Sequence, residues 1–382
     1  MKQTSIYIHW PFCLSKCPYC DFNSHVYQTI DEERWGNAII SEMEYMRRYT
    51  HDAVINSIFF GGGTPSLMSA KTVESVILSA HRLWKVNSGI EITLEANPTS
   101  VESGKFMDFS RAGVNRLSMG VQSLLDRELK FLGRQHSAKE AIKAIEVARN
   151  IFNRYSFDLI YARPNQTLDD WRKELEEALS FAGGHLSLYQ LTIENNTAFY
   201  NIYHNGGFSL PDEDTAEKLY RLTEDIMNKN GFVSYEVSNY AKDGEESIHN
   251  LNYWQGGDYI GIGAGAHGRI TIEGRRVATS NIKSPNRWLD SVEKNNNALD
   301  LWETLSVREE IEERLMMGLR LADGMNYKDF ITMTGYDICD YINMDKKEFY
   351  TKEGLLENNK ESLVVTKNGR LLLNSIISEL LI

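Results

Sequence analysis

Ser5-Ile-Tyr-Ile-His9 followed by Cys13-Leu-Ser-Lys-Cys17-Pro-Tyr-Cys20 is the stretch from which the rest of the chain is read. The first part is a short strand candidate. The second packs three of the chain's four cysteines into eight residues, so the clustering is not scatter. That spacing lets three thiolates converge on one side of a tight loop, as an inorganic centre requires. A structural zinc site is closed by four ligands, whereas three thiolates leave one metal position free for a ligand.

Working outward, β-branched runs recur at intervals of roughly 25 to 40 residues with helical patterns between them. Strands are expected at Ser5–His9, Ile55–Phe60, Glu91–Glu95, Arg116–Met119, Phe157–Tyr161 and His185–Leu191. Leu168–Ala182 shows the helical pattern clearly. Leu168, Trp171, Leu175, Ala178 and Leu179 form one stripe, and Thr167 with Asp170 reads as a capping box. Six β-then-α units imply a parallel sheet, open or curled into a barrel, with chemistry at the C-terminal strand ends. Past residue 205 the rhythm changes. Asp212–Asn228 reads as a helix, Phe232–Tyr240 as a strand and 256–268 as glycine-rich. From Leu305 the chain is mainly helical (Val307–Leu321, Tyr327–Phe330, Arg370–Leu381), with β-like pieces near Leu363–Val365. This pattern implies a helical, winged-helix-like C-terminal domain.

The 382 residues fit one large domain and a smaller one, and 42% hydrophobic with 11% aromatic content supplies a sizeable core. Lys and Arg number 41 against 53 Asp and Glu, a net charge of −12, which argues against nucleic acid as a partner. The N-terminal Met-Lys-Gln-Thr-Ser has no apolar signal region, and no apolar run reaches membrane-spanning length. With clustered thiols, the expected address is cytoplasmic, without stable membrane insertion.

The cysteine loop admits a zinc knot completed by His9 or His25; a disulfide framework is disfavoured because three thiols cannot pair among themselves. The favoured reading is a [4Fe–4S] cluster on Cys13, Cys17 and Cys20, with one iron open to a chelating ligand and Tyr19 beside it. Further polar groups follow strand by strand: Phe60-Gly61-Gly62-Gly63-Thr64-Pro65-Ser66, Leu94-Glu95-Ala96-Asn97-Pro98, Gln122, Leu132-Gly133-Arg134-Gln135-His136 and Asp158. The glycines allow close backbone approach, and their N–H groups can bind a carboxylate. Arg134 suits a carboxylate as well. Polar residues at consecutive strand ends point to one cofactor cleft. Gly261-Ile-Gly263-Ala-Gly265-Ala-His267 lacks the strand–turn–helix context of a dinucleotide site. Cys339 reads as a small buried apolar residue.

Cys-x3-Cys-x2-Cys with an aromatic before the last cysteine, followed by the glycine turn, resembles the radical S-adenosylmethionine (SAM) superfamily. Over nearly the whole chain the resemblance is to the oxygen-independent coproporphyrinogen III oxidase-like group. It implies a partial parallel (β/α)6 barrel at 1–240, a heme-handling and connecting segment at 241–300 and the helical domain at 301–382. It also implies SAM bound near Tyr7, Tyr19, Gly63, Thr64, Pro65, Glu95, Gln122, Arg134 and Asp158, and reductive release of a 5′-deoxyadenosyl radical. The dehydrogenases of this group carry a further cysteine two residues past the loop and an N-terminal extension. Here that position is Phe22, and Cys13 lies early. Both departures resemble the HemW-type heme chaperones instead. So does His249-Asn250-Leu251-Asn252-Tyr253-Trp254, which implies heme handling by His249, Tyr253 and Trp254, since imidazole is a common axial ligand and flat aromatics suit a porphyrin. The expected partners are heme, a heme-acceptor protein and an electron donor; the alternative is oxidative decarboxylation of coproporphyrinogen III to protoporphyrinogen IX. Tyr161-Ala162-Arg163-Pro164 stands where relatives have Gly-Leu-Pro, leaving Arg163 open to heme propionates, the SAM carboxylate or solvent.

Overall fold

Twelve strands join in one sheet, and the β-then-α series forms its middle. The computed structural model describes residues 2–27 and 29–381. The series comprises β1 (Lys2–Trp10), β2 (Ala53–Gly62), β3 (Lys85–Ala96), β4 (Arg116–Gln122), β5 (Arg154–Tyr161) and β6 (His185–Gln190). They lie side by side in that order, every neighbouring pair parallel. All six strand expectations are met, mostly with longer strands. The resulting partial barrel, with its separate C-terminal helical domain, is the expected fold class.

The outer face of the sheet is apolar and covered by helices. Ile6, Ile8 and Trp10 of β1 are fully buried. Against this layer pack α1 (Glu32–Arg47), through Trp35, Ile39 and Met43, and α2 (Ala70–Leu83), through Val73, Val76 and Ile77. The alternate residues face the barrel interior, and there the sequence is polar: Ser5 and His9 on β1, Ser57 on β2, and Glu91, Thr93 and Glu95 on β3. Farther along the chain come α3 (Ala138–Ile151) and α4 (Leu168–Phe181). The expected capping box is present at α4: Asp170 N–H donates to the Thr167 hydroxyl (3.1 Å) and Thr167 N–H to the Asp170 carboxylate (3.2 Å).

After α5 (Glu213–Lys229), the expected strand over Phe232–Tyr240 divides into β7 (Val233–Ser234) and β8 (Asn239–Ala241). Ser234 hydroxyl donates to Glu236 carbonyl (3.0 Å) and Ser238 N–H to the Glu236 carboxylate (3.3 Å), and these local bonds turn the chain between them. The short helix α6 (Ile248–Trp254) follows. Next come β9 (Asp258–Ile262), parallel to the free side of β1, then antiparallel β10 (His267–Ile272), β11 (Arg275–Asn281) and β12 (Leu299–Thr304), with α7 (Pro285–Asn295) between the last two. The glycine-rich 256–268 stretch is therefore a strand–turn–strand, as the missing dinucleotide context implies. A second hydrophobic core lies in the C-terminal region, around α8 (Val307–Gly318), a small antiparallel sheet β13 (Met325–Asn326), β14 (Leu356–Asn358) and β15 (Ser362–Val365), and α9 (Leu373–Leu380). Among the described residues no helix is long and apolar enough to cross a membrane.

Candidate functional site

A cavity of about 610 Å³ opens at the C-terminal ends of β1 to β6. One wall is the cysteine loop with Cys13, Tyr19, Cys17 and Cys20. The facing wall carries Glu95, Gln122, Arg134 and Asp158, and Gly63, Thr64 and Pro65 lie between. These residues come from six separate stretches of sequence; all but Arg134, which follows a short helix at Asp126–Phe131, are brought together by lying on or just after a strand of the barrel. Tyr7, His249, Tyr253 and Trp254 do not line the cavity.

The glycine turn is docked on the cysteine loop through its backbone. Gly63 N–H donates to Trp10 carbonyl (2.7 Å) and Thr64 N–H to Phe12 carbonyl (2.8 Å). A Cβ at Gly63 would meet the Phe12 carbonyl oxygen at 2.6 Å, so only glycine fits. Gly62 N–H donates to the Glu95 carboxylate at 3.3 Å. This corrects one expectation: the N–H groups of Gly62, Gly63 and Thr64 are occupied, and what these glycines can offer a ligand is carbonyl oxygens. Thr64 hydroxyl donates to Cys13 Sγ (3.4 Å), and Arg134 Nη1 to Cys17 Sγ (3.3 Å) and to the Tyr19 hydroxyl (3.4 Å).

Sequence reasoning passed over Asn97, which ties the walls together. Its Oδ1 accepts from Arg134 Nη2 (2.6 Å) and its Nδ2 donates to the Thr64 hydroxyl (3.2 Å). The available signal was its place directly after the strand end, ahead of Pro98. Gln122 sits at φ 71°, a left-handed conformation that costs a non-glycine residue free energy. What holds it there lies behind the wall. Ser123 hydroxyl and Leu124 N–H (2.9 Å) donate to Glu174 of α4, and Glu174 pairs with Arg163. Arg163, 1% exposed, therefore meets neither solvent nor a ligand carboxylate; it is a buried counter-ion.

Burial pushes the Glu95 carboxyl up to about 8, helped by the neighbouring Asp158, and pushes Asp158 itself up to about 6. Burial also raises the Cys13 and Cys20 thiols. The zinc-knot alternative is not assembled. His9 Nε2 lies 2.9 Å from Asn23 carbonyl oxygen and its Nδ1 3.0 Å from the Tyr7 hydroxyl, while His25 Nε2 is 3.2 Å from Asn23 Oδ1. Among the described residues no group of three or more His, Cys, Asp or Glu side chains is placed to hold a metal ion. A polynuclear cluster takes its thiolates at separate corners and does not need them round one point. Arg134 Nε is buried without a hydrogen-bond partner among the described residues, an open donor in a cavity wall. A thiolate wall, acceptor carbonyls, a carboxylate pair and that donor fit a cluster with SAM, whose amino acid part has both an ammonium and a carboxylate.

The heme-segment residues lie elsewhere. His249, 1% exposed, is inside the barrel below the cavity, with Nδ1 2.8 Å from Ser57 Oγ and Nε2 2.8 Å from the Tyr253 hydroxyl. Burial holds its ring neutral, with a pKa pushed down to about 3. Neither ring nitrogen is open to an iron in this arrangement. Cys339, expected to be buried, is partly exposed, with Lys347 Nζ 3.6 Å from its sulfur.

Residues 7–178 match the model of the radical SAM superfamily, and residues 305–372 that of the HemN C-terminal domain. Heme chaperone HemW of Escherichia coli K12 is 35% identical, covering 99% of this chain and 98% of its own. The mitochondrial radical S-adenosyl methionine domain-containing protein 1 of Mus musculus is 36% identical, covering 99% of this chain and 87% of its own. Among solved structures, coproporphyrinogen III oxidase (HemN) of Escherichia coli is similar in fold, with a TM-score of 0.82 over 99% of this chain and 89% of that one at 20% identity. The chain belongs to the radical SAM superfamily, within the HemN-like family that includes the proteins named heme chaperone HemW.

Proposed function

We propose that this protein is a heme chaperone: it binds heme and passes it to an acceptor protein, carrying a [4Fe–4S] cluster and SAM. Full-length identity to proteins named heme chaperone HemW supports the reading. The observation that carries it against the alternative is the charge of the cavity. Asp21, Glu95, Glu102, Asp158 and Glu194 line it, against Lys16 and Arg134 as its only Lys or Arg side chains among the described residues. Coproporphyrinogen III bears four carboxylates, and burying them against this acidic lining with two cations to match is unfavourable. The same cavity suits the sulfonium and ammonium charges of SAM.

In this reading Cys13, Cys17 and Cys20 hold the cluster. Arg134 Nε takes the SAM carboxylate, the carbonyls of the glycine turn take its ammonium, and Glu95 with Asp158 face its positive charge. Gln122 and Tyr19 close the sides and exclude water. Together the two groups supply one-electron reductive cleavage of a carbon–sulfur bond. An electron donor completes the set of partners, and the unpaired cysteines fit a reducing compartment such as the cytoplasm.

A paired experiment tests the proposal. Anaerobically reconstituted protein is given coproporphyrinogen III with SAM and a reductant, and separately titrated with hemin. The expected result is stoichiometric heme binding and no sustained protoporphyrinogen formation. Multiple turnovers would return the protein to the dehydrogenases.

A further inference from the structure

The His-Asn-x-x-Tyr-Trp segment forms α6, and α6 plugs the barrel from the end opposite the cavity opening. Its entry is locked on one buried carboxylate. Glu91 accepts from the N–H groups of Ile248 (3.2 Å) and His249 (3.1 Å) and from the Ser247 hydroxyl (3.3 Å), and it pairs with Arg154 at 2.8 Å. Ser57 donates to Ser5 (2.7 Å), so the His249 Nδ1–H donates to Ser57, and Nε2 accepts the Tyr253 hydroxyl proton. The lone pair that an iron would need is therefore in use. Freeing it means breaking the Tyr253 bond and withdrawing α6 from the barrel.

What the imidazole does touch is the underside of the cavity floor. Its ring stacks on Phe59 at 4.8 Å and 27°. Phe59 and Tyr7 in turn abut the glycine turn: a Cβ at Gly61 would come within 2.9 Å of both rings. The next glycine rests on His9, whose ring would lie 2.7 Å from a Cβ at Gly62. His9 reaches Asn23, just past the last cysteine, through its Nε2. A packed column thus runs from α6 through two aromatic rings to the backbone that carries Gly62 N–H onto Glu95.

We infer that His249 is a positioning residue for the glycine turn and Glu95 at the SAM site, and that it is not the iron ligand for heme. The inference rests on the proposed SAM site, but not on where heme binds. It assigns the segment to holding the cofactor floor at a set height, and it leaves heme to bind through other groups.

The test uses the full-length, cluster-reconstituted protein with two variants. His249→Gln keeps an amide to bond Ser57 but loses the ring that stacks on Phe59. Tyr253→Phe keeps the ring but removes the partner of Nε2. SAM affinity is read by calorimetry and by the change SAM makes in the electron paramagnetic resonance signal of the reduced cluster. Heme is read from the Soret band during hemin titration. The expected result is SAM affinity reduced about tenfold in His249→Gln and severalfold in Tyr253→Phe, with iron content, hemin affinity and Soret position as in wild type. A lost or shifted Soret band with normal SAM affinity would make His249 the ligand and overturn the inference. Unchanged SAM binding in both variants would overturn it too, and so would loss of the cluster together with both affinities, which would mean general unfolding. If the wild-type protein itself shows no SAM response, the fault lies in the proposed site and not in His249.

Discussion

Glu95 and Asp158 face one another across the cavity floor, and the Gly62 N–H, the Ser187 hydroxyl and the charges of Arg116 and Arg134 offset their burial only in part. Their carboxyls are shifted from 4.5 to about 8 and from 3.8 to about 6, so both hold protons in the folded protein at pH values where the unfolded chain has lost them. Two opposite slopes follow. Because the folded state binds more protons between about pH 4 and 8, these two groups make the protein less stable as pH rises through that window. A positively charged ligand favours the ionised pair, so SAM binding should tighten over the upper part of it, from pH 6 to 8, with release of protons. Calorimetry at several pH values in buffers of different ionisation enthalpy would detect that release. Asp158→Asn should flatten the lower part of the profile and Glu95→Gln the upper part. A profile that is already flat in wild type would mean that the carboxylates do not face the bound cation.

At the scale of elements, the difference between what the sequence revealed and what it concealed is one of range. The six strands and α4 announce themselves through local patterns: β-branched runs, a helical stripe, and a Thr–Asp capping box three residues apart. The cysteine loop is equally local. Asn97, Glu174 and Arg163 are not, because they act through partners 11 to 51 residues away that no periodicity reports. The division of 232–240 was concealed for another reason, since the bonds around Glu236 outweigh the strand propensity of its neighbours. The burial of His249 inside the barrel was concealed because an imidazole beside Tyr and Trp reads the same on a ligand-binding wall and in a buried helix. Glu42 of α1 shows how much a concealed residue can carry. It is fully buried and accepts from Gly263 N–H (2.8 Å), Ala298 N–H (3.3 Å), Asn281 Nδ2 (3.0 Å) and Trp288 Nε1 (3.2 Å). One carboxylate thus joins α1 to the turn after β9, the end of β11, α7 and the start of β12. Glu42→Ala leaves the Gly263 and Ala298 N–H groups and Trp288 Nε1 without an acceptor, and Asn281 Nδ2 with the Gly263 carbonyl alone, and should cost about 3 kcal/mol or more in chemical denaturation. Glu42→Gln, which keeps one acceptor oxygen, should cost less. Equal losses in the two variants would mean that packing, and not acceptance, is what Glu42 supplies.

For the whole molecule, the second core is joined to the barrel mainly through polar contacts. Arg314 of α8 donates to Gly256 carbonyl at 2.7 Å, Ala322 N–H to Tyr235 carbonyl at 2.9 Å and Arg370 to the Ser234 hydroxyl at 2.6 Å. The last two hold the β7 side of the turn whose Val237 and Ser238 line the cavity, so the attachment of the C-terminal region bears on the shape of the site. The charged centre of this junction is Glu313, paired with Arg269 at 2.7 Å and Arg276 at 3.6 Å. Arg276 is 2% exposed, keeps Asp258 at 3.2 Å as its other counter-ion, and has a buried Nε without a hydrogen-bond partner among the described residues. Glu313→Gln removes one charged partner from a buried guanidinium, the kind of loss that costs far more than a surface pair. The hydrophobic cores on either side are untouched, so the weak point becomes the junction itself. Calorimetry should then resolve an early transition of the C-terminal region ahead of the barrel, and amide exchange should rise first at 235–238 and 320–324. A single transition at the wild-type temperature would show that the backbone bonds to Tyr235 and Gly256 hold the two cores together without the charge.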